Sequence, residues 1–364
     1  MAATLAVRVG VALAKVERER RAARARRERE GQFALLPGEA AADGLKRMAL
    51  GQLDLVIELL GDGADTSPAK AVHEARKALK RLRALIRLLE DELGAPDYAR
   101  ESAALRHAGR RLAQVRDAEV MVSTLDDLLE RHPDQLAHKR PVLTLRGELV
   151  AERDRITQLA LGERAVRAEV LAELHAVRGR VAAWRLGARE GIGAVEPALK
   201  RLYRQGRRRH RRAARGNGDR ARALHQWRKR VKDLRYAAEM LDRVEPRYAQ
   251  DGARVKRRHR ARKRGRVRGE GGYMRELARR ADELGELLGE EHDLVLLDAR
   301  VRAQGNLRGA RTRKILLKLI SRRRKHLRRL ALREGRSLYG RRPKRFLARV
   351  RAAHAAPLSP RSGP

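Results

Sequence analysis

Residues 72–93, VHEARKALKRLRALIRLLEDEL, and residues 224–245, LHQWRKRVKDLRYAAEMLDRVE, are two versions of one segment. A shift of 152 sets His73 on His225, Arg76 on Arg228, Lys77 on Lys229, Lys80 on Lys232, Leu82 on Leu234, Arg83 on Arg235 and Leu89 on Leu241. Identities at matched phase mark an internal duplication. In the first copy the apolar positions step by three and four through Val72, Ala75, Leu79, Leu82, Ile86, Leu89 and Leu93; in the second they run through Leu224, Trp227, Val231, Leu234, Ala238 and Leu241. That period is the seam of an amphipathic helix packed in a bundle. The shift also sets Ser67 on Asp219, both good N-cap residues six positions before their histidine, with Pro68 at the first helical position of the first copy.

A second pair lies further along. LAQVRDAEVM at 112–121 matches LGEEHDLVLL at 288–297, with Asp117 over Asp293 and Arg116 over His292, now at a shift of 176. The second half is therefore 24 residues longer, and the excess falls between Leu241 and Leu288. Its obvious seat is the Arg- and Gly-rich tract at 255–272, which has no apolar seam and reads as a mobile loop. Alternation with period two is nearly absent elsewhere, so the chain is expected to be all-α. Turn clusters at Leu36-Pro37-Gly38, Gly61-Asp62-Gly63, Gly94-Ala95-Pro96, His132-Pro133-Asp134, Gly187 to Gly193, Gly216-Asn217-Gly218, Glu245-Pro246 and Gly269 to Gly272 cut it into helix-length segments. The division this suggests is a basic N-terminal helical extension at 1–37, two antiparallel helical bundle halves at 38–190 and 191–355, the Arg-rich insertion at about 250–272 in the second, and a disordered tail at 356–364.

Charge narrows the choice of partner. The 88 Lys and Arg outnumber the 46 Asp and Glu, giving a net charge of +42 along most of the chain. Self-repulsion on that scale opposes compaction and points to a polyanionic partner. With 42% apolar residues the chain can still build a core. Aromatic residues are only 3%, too few for the ring platforms on which single-stranded nucleic acid stacks its bases. Phosphate without bases fits better. No cysteine is present, which removes disulfides, thiolate metal sites and cysteine nucleophiles, and a cytoplasmic location is consistent with that. The apolar run from Val9 to Ala14 is too short to span a bilayer, so no membrane anchor is expected.

Beside each apolar seam runs a ladder of cations, His73, Arg76 or Lys77, Lys80, Arg83 and Arg87 on the first helix, and His225, Arg228 or Lys229, Lys232 and Arg235 on the second. The second ends at Glu239 and is one step shorter. Cations on one helix face recur about every 5 to 6 Å, so a linear phosphate chain meets a new one at each turn. Arg grips phosphate oxygens in pairs and Lys adds adaptable point charge. One basic stripe is ordinarily a solvated helix face, whereas two at matched phase argue for a groove. His73 and His225 stand among cations near a helix start, surroundings that disfavour imidazolium. His292, flanked by Glu290, Glu291 and Asp293, is expected to bond within the molecule to a basic helix as well as to be a candidate contact, together with Arg116. Further basic blocks, Arg204, Arg207, Arg208 and Arg211 and then Arg322, Arg323, Arg324, Lys325, Arg328 and Arg329, could line the same groove. Tyr203, Trp227 and Tyr236 read as packing residues. No Walker loop, His-Glu-x-x-His helix, G-x-S-x-G elbow or metal-spaced cluster occurs, so no catalytic residue, metal or cofactor is expected.

The stretches AVHEARKALKRLRALIRLL and ALHQWRKRVKDLRYAAEML resemble the two signature helices of the CHAD family, the conserved histidine α-helical domain. VRDAEVM and GEEHDLVLL resemble its Arg-Asp and His-Asp segments, and the likeness covers roughly residues 38–355. It implies two pseudo-symmetric helical bundles around a basic groove or cavity, binding of inorganic polyphosphate without catalysis, and association with polyphosphate granules. Carried over by matched position, the binding residues are His73, Arg76, Lys77, Lys80, Arg83, His225, Arg228, Lys229, Lys232 and Arg235. An N-terminal triphosphatase barrel marked by Glu-x-Glu-x-Lys, found in many relatives, is not expected here, because Glu17-Arg18-Glu19-Arg20-Arg21 ends in Arg within a helical charge run. The Arg-rich insertion is not part of the family pattern. Non-specific nucleic-acid binding and a regulatory role toward phosphorylated ligands are the alternatives.

Overall fold

The computed structural model describes residues 33–36, 39–61, 68–162, 164–187, 191–216, 218–242, 272–303 and 310–355. The N-terminal extension up to residue 32, nearly all of the Arg-rich insertion, the tail and Ser67 lie outside them. Among the described residues there is no strand. The helices are α1 (Ala41–Leu60), α2 (Pro68–Leu88), α3 (Glu90–Leu93), α4 (Ala95–Arg111), α5 (Ala113–Arg131), α6 (Pro133–Leu136), α7 (Arg140–Gly162), α8 (Arg164–Ala182), α9 (Glu196–Arg215), α10 (Arg220–Met240), α11 (Tyr273–Ala303), α12 (Ala310–Tyr339) and α13 (Pro343–Ala355).

The duplication is visible in the helix ends themselves. The shift of 152 carries Pro68 and Leu88 of α2 onto Arg220 and Met240, the ends of α10. Helices α1 and α9 are both 20 residues long and stand in equivalent positions before them. The pair α4 and α5, which breaks at Leu112, is replaced in the second half by the 31-residue α11, with Leu288 at its middle where Leu112 would fall. Asp219 caps α10 as its residue type suggests, its side chain accepting from the Arg222 N–H at 2.9 Å. Gly216, at φ 71°, ends α9 in the left-handed conformation that glycine adopts most cheaply.

Two apolar cores hold the helices, and both halves of the duplication contribute to each. The larger joins Leu45, Leu53, Leu79 and Leu82 of α1 and α2 to Leu199, Trp227, Leu234 and Leu284 of α9, α10 and α11. The smaller joins Leu125 and Leu145 of α5 and α7 to Leu297, Leu316 and Leu327 of α11 and α12. All seam positions read from the two repeats are buried except Leu93, which is partly buried. Tyr203, Trp227 and Tyr236 are packing residues, at 1, 0 and 5% exposure. Tyr203 stacks on Phe346 with centroids 4.0 Å apart and its hydroxyl donates to the Leu338 carbonyl at 3.1 Å.

Trp227 fits because position 335 on the facing helix has no side chain, so its indole ring lies against the Gly335 backbone beside His210. Gly335→Ala forces a methyl group into those rings and is expected to destabilise by about 1–3 kcal/mol. Gly147→Ala, on an α7 face with nothing within 4 Å of the new methyl, is expected to stabilise by about 0.5–1 kcal/mol through helix propensity. Chemical denaturation of both variants checks the pair of signs.

Candidate functional site

Helices α2, α5, α10 and α11 surround a cavity of about 1010 Å³. The core seams of α2 and α10 turn their apolar stripes inward, and the ladders, about 100° further round each helix, face the cavity. Helices α5 and α11 complete the walls with Arg116 and Asp117 on one side and His292 and Asp293 on the other. The lining includes twelve Lys and Arg against six Asp and Glu, with His73, His225 and His292.

Of the residues named from sequence, His73, Arg76, Lys77, Lys80, Arg83, Arg87, Arg116, His225, Arg228, Lys229, Lys232, Arg235 and His292 all line this cavity. The remaining four do not. Arg204, Arg207, Arg208 and Arg211 lie away from it because α9 buries its opposite face, Leu199, Leu202, Tyr203, Gly206, His210 and Ala213. Arg207 instead donates to the Tyr339 carbonyl at 3.2 Å, and Arg204, Arg208 and Arg211 are exposed. The α12 block is also outside the lining. Arg323 pairs with Glu290 at 2.5 and 2.8 Å, and Arg328 reaches Glu291 at 2.8 Å. The expected link between the Glu-Glu-His-Asp segment and a basic helix is therefore made by the two glutamates. His292 turns into the cavity, where its ring lies 4.2 Å from that of His225.

The cations of the cavity divide into those held in ion pairs and those that are not. Arg87 is paired with Asp233, which also takes Arg230 at 3.1 Å. Arg235 holds Glu239 at 2.7 Å and Asp282 as well. Each of these contacts joins three side chains. Lys80, Arg83, Arg116, Arg228, Lys229 and Lys232 have no ion-pair partner among the described residues. Arg76 and Arg228, equivalent under the duplication, each keep a buried Nε with no hydrogen-bond acceptor, and so does the Nδ1 atom of His225. Leaving such a group unsatisfied costs about 1–3 kcal/mol. Gly289 leaves room for the Arg228 guanidinium, which approaches to 3.3 Å of where a methyl would stand.

Crowded cations in a recess titrate abnormally. Lys80 is open to the cavity, yet the surrounding walls desolvate it, and Lys232 with Arg76 and Arg228 repel its proton; its pKa falls to about 7. Burial and the neighbouring Arg228 bring Lys232 down to about 8. Burial and the mutual repulsion of the two rings bring His225 to about 4, and burial with Arg228 and Lys229 does the same for His292. His73 is lowered too, by burial and then by Arg116. Lys80 thus feels Lys232, its equivalent by sequence.

Sequence alone missed the acidic clamp Asp233 and also Arg131 and Arg230. The α5 wall runs Arg116, Val120, Ser123 or Thr124, Asp127 and Arg131 at steps of three and four, but its mixed chemistry gives no signal of a lining face.

A family model described as the CHAD domain matches residues 49–302, a span that contains the four cavity helices except the last residue of α11. No curated protein matches the chain. The crystal structure of the CHAD domain from the plant Ricinus communis superposes with a TM-score of 0.54 at 19% identity, covering 84% of this chain and 94% of that one. PptA from Streptomyces chartreusis does so with a TM-score of 0.50 at 16% identity, covering 83% of this chain and 100% of its own. At such identities the likeness to both is one of fold. The family match, which takes in well over half the sequence and both copies of the histidine-led basic helix, shows that the chain belongs to the CHAD domain family.

Proposed function

We propose that the cavity binds inorganic polyphosphate and performs no chemistry on it. The observation that carries this reading is the excess of cations in the cavity, where Lys80, Arg83, Arg116, Arg228, Lys229 and Lys232 lie together without ion pairs although Arg87 and Arg235 are paired. A site so arranged calls for a ligand with charge at several points along its length. The run from His73 to Arg83 spans about 15 Å of helix, which suits a chain better than a compact anion. Tyr236, the aromatic residue in the lining, is 5% exposed and lies under Arg235, so no ring stands free to stack a base. A role without catalysis accords with the lining hydroxyls, since Ser123 and Thr124 both donate to the Val120 carbonyl. A chain longer than the cavity would leave part of its length outside, which accords with attachment to polyphosphate granules. The cell interior is the compartment this reading calls for, and no described helix is long and apolar enough to cross a membrane.

Two predictions follow from the geometry. Replacing Lys77, Lys80, Lys229 and Lys232 with Gln removes four cavity charges, and replacing Arg204, Arg208, Arg211 and Arg212 with Gln removes four exposed ones. Isothermal titration with long-chain polyphosphate is expected to show a loss of about tenfold or more for the first variant, since each charge-assisted hydrogen bond contributes about 1.5–3 kcal/mol. The second variant is expected to lose only a few-fold through screened, long-range attraction. Equal losses would show that net charge, and not the cavity, decides binding.

Binding should also be coupled to proton uptake. In the protein by itself Lys80 and Lys232 hold pKa values of about 7 and about 8, and His225 and His292 about 4. A polyanion favours the charged forms and returns these values toward the ordinary lysine and histidine ranges. The complex then binds more protons than the free protein, so affinity rises as pH falls, first between about pH 10 and 7 through the lysines and again between about 6.5 and 4 through the histidines. Lys80→Gln with Lys232→Gln should flatten the upper limb, and His225→Gln with His292→Gln the lower one, as read from affinity measured at fixed ionic strength.

A further inference from the structure

Helix α12 lies beyond the last residue of the family match and outside the cavity. It is 30 residues long and contains a single carboxylate, Glu334. Its cations divide into two sets. Arg323, Arg324 and Arg328 turn inward and anchor the helix to Glu290 and Glu291 of α11. Arg311, Lys314, Lys318, Arg322, Lys325 and Arg329 are all exposed. At 100° per residue these six fall within a sector of about 80°, along about 27 Å of helix. No other residue of that stretch falls in the sector; Ile315 and Ser321 flank it. Arg333, paired with Glu334 at 3.2 Å, and Arg336 continue the line.

We propose that this face of α12 is a docking surface for duplex DNA, separate from the cavity. The chemistry of the ridge selects among polyanions. It offers no apolar side chain to enter a bilayer interface, and no aromatic ring to hold an unpaired base. It is convex and open, so a flexible phosphate chain laid on it would lose conformational freedom with no walls to compensate. A duplex loses almost none, because its phosphates are already fixed on a rod with a persistence length of about 150 base pairs. About 27 Å of straight ridge faces about eight base pairs at 3.4 Å each. The ridge is itself pre-ordered, since its helix is buried along Leu316, Leu319, Ile320, Leu327 and Ala331 and clamped by the inward arginines. Its contacts are to phosphate alone, so the binding carries no base sequence. A chain that holds polyphosphate in the cavity and DNA on α12 would tether one polyanion to the other. The ridge stands or falls independently of the cavity reading.

The test uses the full chain and a fluorescent duplex of about 30 base pairs and mixed sequence, followed by anisotropy from about 0.05 to 0.3 M salt. The ridge variant replaces Lys314, Lys318, Arg322 and Lys325 with Gln; the cavity variant carries Lys80→Gln and Lys232→Gln. The ridge variant is expected to lose about tenfold or more in duplex affinity, and its slope of log affinity against log salt should fall by 3 to 4, at about 0.9 per lost phosphate contact. It should keep its affinity for tripolyphosphate. The cavity variant should keep its duplex affinity and lose tripolyphosphate. Exchanging Lys314, Lys318 and Lys325 for Arg should leave duplex binding intact, which separates lost charge from lost folding. The proposal is overturned if the ridge variant binds duplex as the parent does, if it loses tripolyphosphate to the same extent, or if a single strand of equal length binds the parent as tightly as the duplex.

Discussion

Lys80 and Lys232 stand as like charges in one cavity whose lining carries twice as many Lys and Arg as Asp and Glu, and the rest of the architecture can be read as what holds them there. Like charges in a recess of low polarity repel far more strongly than at an open surface. The two apolar cores offset that repulsion by packing helices of both halves together. Leu79 and Leu82 sit behind Lys80, and Val231 and Leu234 behind Lys232, each at 2% exposure or less. Cations are tolerated where they are anchored, as Arg87 and Arg230 are by Asp233 and as Arg323 is by Glu290. Lys80 and Lys232 lack such anchors, and their depressed pKa values record the cost.

The duplication makes this arrangement economical to encode. One basic amphipathic helix, used twice about a pseudo-twofold, places the same ladder on two neighbouring walls. It also sets His73 and His225, Arg76 and Arg228, and Lys80 and Lys232 in equivalent places, so any ligand with its own repeat meets matched cations on both helices. The second half departs from the first where it must close the site. Glu239 stands where the first ladder has Arg87, and it pairs with Arg235, shortening the second ladder by a step. His292 replaces Arg116 and sets a histidine against His225, giving the two walls different chemistry at one point.

Most of this was legible in the sequence because it depends on periodicity. The seams, the ladders, the turn at Gly216 and the cap at Asp219 are all local, and position along a helix decides which way a side chain faces. What could not be read was pairing between helices. Asp233 lies between ladder positions, and only the packing of α2 on α10 shows that it clamps Arg87. The α9 block reads as a ladder as well as the others do, but α9 buries the face opposite to it, and a stripe alone does not say whether a neighbour stands across from it. The α12 block was read as one patch, whereas the fold splits it into arginines bound to Glu290 and Glu291 and an exposed ridge. The histidines looked like the proton-sensitive groups of the site; desolvation and facing charge add the two lysines, a consequence of three-dimensional crowding that no window of sequence contains.

The account rests on one claim, that the two ladders act together as the walls of a single phosphate site. A crystal structure of the chain with tripolyphosphate tests it directly. The account predicts phosphate density in the middle of the cavity, with oxygens within hydrogen-bond reach of both Lys80 and Lys232 and of the Arg83 or Arg228 guanidinium. Phosphate found only on exposed arginines of α9 or α12, with the cavity lysines still facing each other unbridged, would contradict it.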